Sequence, residues 1–547
     1  MKANTLRQPN HNGHLIVEAL RRHADTPMLS SQHTTLTGGQ LGAEISKYQQ
    51  ACESLGAGVK SSVAVLSRNC PEVLIDIAAM HIAGYRRVAL HPLGSLDDHT
   101  YILEDSGATS LIIEPRPEYV QRALALVDRV ESLRQILTFG PPPAELSHIA
   151  TDIVAHAATF QPKPVVAASL PPHHITSLVY TGGTTGRPKG VQLTAGSYFT
   201  MTTIQLAEWE WPNRPQFLSC TPLSHAGAAF VTPVLAKGGT LFLLPKFDAA
   251  AVLETIEKKR ITTLMLVPSM IYALLDHPDL HTRDVSSLET IYYGASAINP
   301  TRLDEAIEHF GPKFAQYYGQ SEAPMAITYL PTDEHQGQRR TSCGRPTQFS
   351  RCVIMGDNGE PVRQGEVGEI CVSGPLLSHG YLNQRQITED TFRDGWLHTG
   401  DLAREDQDGY WYIVDRIKDM IVTGGFNVFP REVEDVVSEH PDVEQVCVVG
   451  TADDKWGEAV TAVVVLRSAA RRDDGFVETL TSEIQEAVRD RKGPVHSPKR
   501  VVVMDSIPLT GLGKPDKKAV RTILENPGAA VQLADPRSTS TMTGVRE

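Results

Sequence analysis

Apolar residues in the first part of the chain fall into short runs of two kinds. Val63–Leu66, Arg87–Leu90 and Ser110–Ile113 read as buried strands, and Glu72–Ala83 and Leu96–Asp105 between them read as helices. Gly84, just past the first of these helices, is a fitting stop signal. The alternation returns further along. Thr240–Leu244, Thr262–Leu266, Thr290–Tyr293 and Lys313–Tyr317 read as strands, separated by helices Ala249–Lys259, Ser269–Leu275 and Pro300–Phe310. Strands alternating with helices imply βαβ units and parallel sheets. Two such runs predict an α/β fold whose large N-terminal domain holds two doubly wound sheets packed face to face. Ligands are expected in the crevice at the strand ends.

The texture then changes. From about Thr341 to Tyr412, short β segments broken by Asp357-Asn358-Gly359, Gly365, Gly368 and Gly374 predict a small β subdomain. Past Arg416 come a helix at Pro430–Glu439, strands at Val443–Val449 and Val460–Leu466, a helix at Phe476–Arg489 and a strand at Arg500–Met504. These predict a smaller α+β C-terminal domain; that it is mobile rests on the motifs below. The expected boundaries are 1–416 for the large N-terminal domain, 417–530 for the C-terminal domain, and 531–547 for a disordered tail.

A length of 547 residues is too much for one ordinary core, in keeping with several domains. The net charge of −13 argues against nucleic acid as a main partner and does nothing to attract an anionic membrane. The N-terminus lacks the apolar core of a signal peptide, and no apolar run approaches a spanning helix. Seven scattered cysteines, never in C-x-x-C spacing, predict a reducing cytoplasmic setting without structural zinc. None of the 20 histidines is spaced with others like a metal site.

The richest chemistry lies in Tyr180–Leu193, YTGGTTGRPKGVQL. Glycines let consecutive N–H groups point into one concavity, Thr181, Thr184 and Thr185 add hydroxyls, and Lys189 adds a mobile positive charge. A polyphosphate is the natural guest. The string is not a Walker A loop: the glycine spacing is wrong, and Lys189 is followed by Gly190, then by Val191-Gln192-Leu193, which alternates like a strand. A lone Gly/Thr tract is more often a surface loop, but this string resembles the phosphate loop of the adenylate-forming superfamily, which includes acyl- and aryl-CoA synthetases, luciferases and peptide-synthetase adenylation domains. Gly182 departs from it where many members carry Ser.

Four further segments carry the same resemblance in the same order. Tyr317-Tyr318-Gly319-Gln320-Ser321-Glu322 superficially suggests a hydrolase elbow, but Ala323 stands where G-x-S-x-G needs Gly. It resembles the family's Y-G-x-T-E, with Ser321 for Thr. The resemblance implies Tyr318 on adenine, Ser321 at the α-phosphate and Glu322 on Mg²⁺, while Tyr317 is read as core. Thr399-Gly400-Asp401 and Arg416 resemble the ribose-binding pair. Lys418 matches the family's hinge, and Gly424-Gly425 the loop bordering the pantetheine channel. Pro508–Asp516 matches P-x-T-x-x-G-K, whose lysine, here Lys514, bridges the substrate carboxylate and the α-phosphate. Five motifs in the family's order, most closely like actinobacterial-type fatty-acid–CoA ligases, argue against chance.

The resemblance implies a two-step reaction. A carboxylic acid attacks ATP to give acyl-AMP and pyrophosphate, and coenzyme A then takes the acyl group. Thr181, Gly182, Gly183, Thr184, Thr185, Gly186 and Lys189 would hold phosphates, with Thr185 and Glu322 on the metal. Gly294, Ala295, Ser296, Tyr318, Gly319, Ser321, Asp401, Arg416, Gly424 and Gly425 would complete the cofactor sites. Lys514, Glu322 and His225 are the expected catalytic residues. His225, Ala226, Gly227, Phe230, Ala323 and Met325 are expected to line the acid's pocket by position. Its small apolar walls, with no carboxylate for an α-amino group, favour a fatty or other bulky apolar acid over an amino acid.

Rival readings keep the adenylation and change the substrate or acceptor: an aryl acid, a carrier protein, an amine, or nitrite-dependent N–N bond formation. A luciferase-like oxygenase and a non-catalytic ATP-binding module are further alternatives. The 79 residues from Glu322 to Asp401 leave no room for the insertion of carrier-protein ligases, and the 33 residues after Lys514 are expected to hold no carrier domain. A homodimer is compatible with all of this.

Overall fold

The computed structural model describes residues 10–58, 61–181, 188–453, 455–467, 475–509 and 515–525. The chain divides into two compact units. The first comprises residues 1–399 and 403–413, and the second residues 400–402 and everything from 414 onward.

The first unit is built on two large sheets. In one, strands Ser62–Leu66, Arg86–Ala89, Ser110–Ile113, Gln135–Thr138, Ala150–Asp152 and Ile175–Thr181 run parallel, and Lys189–Thr194 closes the edge antiparallel to Ile175–Thr181. The other has a parallel centre of Thr240–Leu243, Gln216–Ser219, Thr263–Leu266, Thr290–Tyr293 and Phe314–Tyr318. Helix signals sit where the sequence puts them. Gly84 ends Pro71–Ala83 in the left-handed conformation, Ser95 caps Leu96–Ser106, and Asn299 caps Pro300–Phe310.

The two-residue period of the strands sorts their side chains between cores. Val63 and Val65 enter one core, while Ala64 and Leu66 enter another. Across the second sheet, Phe217, Met265 and Tyr292 join that first core, and Leu218, Leu264, Leu266 and Ile291 enter a third. The inner faces of both sheets thus share one core, filled in by helices Asn12–Arg22, Gly38–Ser54 and Pro71–Ala83. Both faces of each sheet are covered, which is why the central strands read as continuous apolar runs.

One charged cluster is sealed in this shared core. Arg87 Nε donates to Asp76 at 2.6 Å, and the Tyr48 and Tyr85 hydroxyls donate to the same carboxylate. The sequence pattern does not reveal it, because Asp76 and Arg87 stand on different elements and nothing local marks them as partners. Breaking such a buried pair on one side costs about 3–5 kcal/mol.

A smaller sheet follows, with Gly368–Ser373 between Arg351–Met355 and Trp396–Glu405. The second unit has its own mixed sheet, dominated by the long antiparallel pairing of Val443–Asp453 with Gly457–Leu466, with Arg500–Val503 parallel to the latter. Helices Pro430–Val437 and Phe476–Lys492 pack on it through Val433, Val436, Leu480 and Ile484. Among the described residues no helix is long and apolar enough to cross a membrane.

Candidate active site

In a parallel sheet the loops leaving the C-terminal ends of the strands gather along one edge. Gly294, Ala295 and Ser296 follow Thr290–Tyr293, and Gly319 to Glu322 follow its neighbour Phe314–Tyr318. The fit is close: a Cβ on Gly294 would lie 2.6 Å from the Tyr317 carbonyl oxygen, and one on Gly319 would lie 2.4 Å from the Met325 nitrogen. The chain reverses at 319–325 by a Gln320 N–H to Ala323 carbonyl bond, with Met325 in the left-handed region at φ 55°.

Thr181 ends one strand and Lys189 begins the next as direct partners, so they form the base of the hairpin that carries the Gly/Thr string. Gly182, Gly183, Thr184, Thr185 and Gly186, and likewise Lys514, lie outside the described residues.

Lys189 and Glu322 are brought together by a residue the sequence reading passed over. The Lys189 ammonium lies 5.0 Å over the Tyr381 ring, and the Tyr381 hydroxyl donates to Glu322 Oε1 at 2.6 Å. Tyr381 is held there because residues 378–382 run alongside Lys189–Thr194. Gln192 N–H donates to the Gly380 carbonyl, Leu382 N–H to that of Gly190, and Ser378 N–H to that of Glu322. Burial and the Glu322 charge push the Tyr381 hydroxyl well above its ordinary value, so it remains a proton donor. Gln320 Nε2 also donates to the Thr399 carbonyl at 2.9 Å.

His225 follows Gln216–Ser219 in the second sheet, and His91 follows Arg86–Ala89 in the first. Their rings meet edge to face at 4.8 Å, so the strand ends of the two sheets converge here. Asn69 fastens the convergence. Its amide donates to the Ser219, Thr221 and Leu244 carbonyls and accepts from Leu223 N–H. Burial, with smaller contributions from His91 and Arg87, lowers His225 to about 3, so it is neutral at pH 7. Its Nδ1 lies 2.9 Å from the Ser224 hydroxyl. Asn69 and His91 were not singled out in the sequence. An Asn or His after a strand is too common to signal this.

Ala226 and Gly227 lie in the 3₁₀ turn that follows His225. Phe230, expected on a pocket wall, is fully buried among Trp209, Phe217, Tyr292 and Tyr317. Ala323 is also fully buried, while Met325 is partly so. Tyr317 stacks on Trp209 at 5.3 Å inside the core. Tyr318 ends its strand half-buried.

In the second unit, Asp401 is 3 % exposed and accepts from Arg416 Nε at 2.9 Å. Lys418 lies in the short turn Ile417–Asp419. Gly424 and Gly425, both at positive φ, turn the hairpin between Ile421–Thr423 and Phe426–Val428, and a Cβ on Gly424 would strike the Trp456 ring at 2.7 Å.

The family model described as AMP-binding enzyme matches residues 16–382, and that of the AMP-binding enzyme C-terminal domain matches 432–514. The chain belongs to the AMP-binding enzyme family. Among relatives of this family, it is 67% identical over 527 residues to the medium/long-chain-fatty-acid–CoA ligase FadD8 of Mycobacterium tuberculosis, covering 96% of this chain and 92% of that one. It is 34% identical to the indoleacetate–CoA ligase of Aromatoleum aromaticum, over 89% of this chain and 93% of the relative. Among solved structures, the amide bond synthetase McbA of Marinactinospora thermotolerans superposes with a TM-score of 0.84 at 31% identity, covering 93% of this chain and 99% of McbA.

Proposed function

We propose that this protein is an ATP-dependent acyl-CoA synthetase that adenylates a medium- or long-chain fatty acid and passes the acyl group to coenzyme A. The observation that carries the reading is the convergence of Lys189, Tyr381 and Glu322 beside the hairpin of the Gly/Thr string. The 67% identity to a medium/long-chain-fatty-acid–CoA ligase supports the acid and the acceptor.

A carboxylate resists thiols because its leaving group would be oxide, and adenylation supplies a better one. Lys189 and the hairpin would hold the β and γ phosphates, and Tyr318 and Ser321 the adenine and α-phosphate. The acid oxygen attacks the α-phosphorus in line, pyrophosphate leaves, and positioning with charge stabilisation does most of the work. Glu322, a partly buried carboxylate, is the kind of hard oxygen donor magnesium takes, and that ion would offset phosphate charge when bound. Neutral His225 would close the acid's end of the pocket without drawing the carboxylate into an ion pair. Asp401 and Arg416 would hold the ribose, Lys418 would be the hinge, and Gly424 and Gly425 would border the pantetheine. Lys514 would serve the adenylation step.

The test is ATP–pyrophosphate exchange driven by a ladder of aliphatic and aryl acids, followed by product mass spectrometry with CoA or an amine as acceptor. Exchange with C8–C18 acids and an acyl-CoA product is expected, with Lys514→Ala abolishing exchange. An amide product, or exchange driven only by aryl acids, overturns the reading.

A further inference from the structure

Strand Gly368–Ser373 sends Ile370 and Val372 into an apolar core, so Glu369 and Cys371 share its other face. On the neighbouring strand Trp396–Glu405, Leu397 enters the same core and His398 turns to meet them. Cys371 is fully buried, yet it belongs to none of the apolar clusters of the described residues. Its Sγ lies 3.5 Å from His398 Nδ1, and Glu369 Oε2 lies 2.6 Å from the same nitrogen. The three donor atoms are all within 4.8 Å of one another.

We propose that Glu369, Cys371 and His398 bind one thiophilic divalent cation of the zinc class, at a site separate from Glu322. Thiolate, imidazole and carboxylate together are the donor set such an ion prefers. Ligand lengths of about 2.3 Å to sulfur and 2.05 Å to nitrogen make the N–S edge of a tetrahedron roughly 3.6 Å, close to the separation already present. The N–O edge needs roughly 3.4 Å, so the Glu369–His398 hydrogen bond must open by about 0.8 Å. The bare arrangement also carries a conflict. Arg393 Nη2 lies 2.9 Å from His398 Nδ1, so one nitrogen faces both a guanidinium donor and a carboxylate acceptor. A single Nδ1 can either donate or accept. A cation replaces the proton there, binding expels the thiol proton, and the Arg393 side chain, 51% exposed, is displaced outward.

Thr399 extends the consequence. Its hydroxyl donates to the Ile370 carbonyl at 2.7 Å, tying together the two strands that supply the ligands. An ion at this place clamps the strand that leads into Gly400 and Asp401. Sequence spacing hides the set, because the ligands come from two strands separated by a loop, the helix Arg385–Thr391 and the short strand Phe392–Arg393.

The test is titration of the full-length metal-free protein with Co²⁺ as a spectroscopic probe, and with Zn²⁺ against a chromophoric chelator. One equivalent of Co²⁺ should produce a near-ultraviolet thiolate charge-transfer band that millimolar Mg²⁺ does not remove. Cys371→Ser should erase the band, and both it and His398→Gln should weaken Zn²⁺ binding by at least about tenfold. Should Cys371→Ser fail to fold, His398→Gln, which keeps the thiol, decides the matter by the same competition. No band in the wild-type protein, a band surviving in Cys371→Ser, or undiminished affinity in a folded variant overturns the proposal.

Discussion

At the scale of single residues, the candidate site depends on how a side chain is held as much as on which side chain it is. Glu322 is the expected metal carboxylate, but its orientation is set by the Tyr381 hydroxyl at 2.6 Å. Tyr381 is a positioning residue, and its ring also lies beneath Lys189. Removing a hydrogen bond to a charged group costs about 1.5–3 kcal/mol. Tyr381→Phe is therefore expected to raise the Mg²⁺ concentration that half-saturates pyrophosphate exchange by about tenfold or more, with a modest fall in melting temperature. An unchanged Mg²⁺ dependence would detach Tyr381 from Glu322. The sequence points to Glu322 and Lys189 through their motifs but says nothing of Tyr381. The residues that bring it in, 378–382, make a pairing with Lys189–Thr194 too short to show periodicity.

At the scale of elements, legibility followed the physics of burial. Ser110–Ile113, Ala249–Lys259, Thr290–Tyr293 and Pro300–Phe310 have in the structure the bounds that their apolar pattern and caps indicate. Other ends shift: Lys313–Tyr317 becomes Phe314–Tyr318, because the strand continues until the turn at Gly319, while Val443–Val449 runs on to Asp453 and Phe476–Arg489 to Lys492. Sheet partners were not legible, since the pairing of distant strands leaves no local mark. Nor was the close approach behind Gly319, where a Cβ would sit 2.4 Å from the Met325 nitrogen and 2.6 Å from its Cα. Both obstacles are backbone and cannot rotate aside. Gly319→Ala should destabilise the first unit by about 1–3 kcal/mol and reduce exchange with every acid tested. Gly42→Ala is the control: it lies within a helix, and its Cβ would meet only Leu20 Cδ1 at 3.9 Å. Its melting temperature should hold or rise. Equal behaviour of the two variants would show that the turn at 319–325 tolerates a side chain.

At the scale of the whole molecule, the first unit carries several imidazoles folded away from water, and these make its stability depend on pH. Burial lowers His81 to about 3, with smaller contributions from His11 and Arg87, and lowers His99 and His335 to about 4 each. In the unfolded chain all three titrate near 6.5, so below that pH the unfolded state binds protons that the fold refuses. Stability therefore falls as the pH drops from about 6.5 toward 4, by about 1.4 kcal/mol per pH unit for each such group. Above pH 7 these histidines contribute no slope. His81 is the one to isolate. It sits on Pro71–Ala83 at 5 % exposure, edge-on to the Tyr198 ring, with His11 and Arg87 near it. His81→Gln will lower stability at every pH through altered packing, but it also removes one proton from the difference between states. Urea midpoints measured from pH 7.5 to 5 should fall less steeply in the variant than in the wild-type protein, converging as the pH is lowered. Parallel lines would mean that His81 takes up its proton within the fold, and that the polar groups around it solvate the charge.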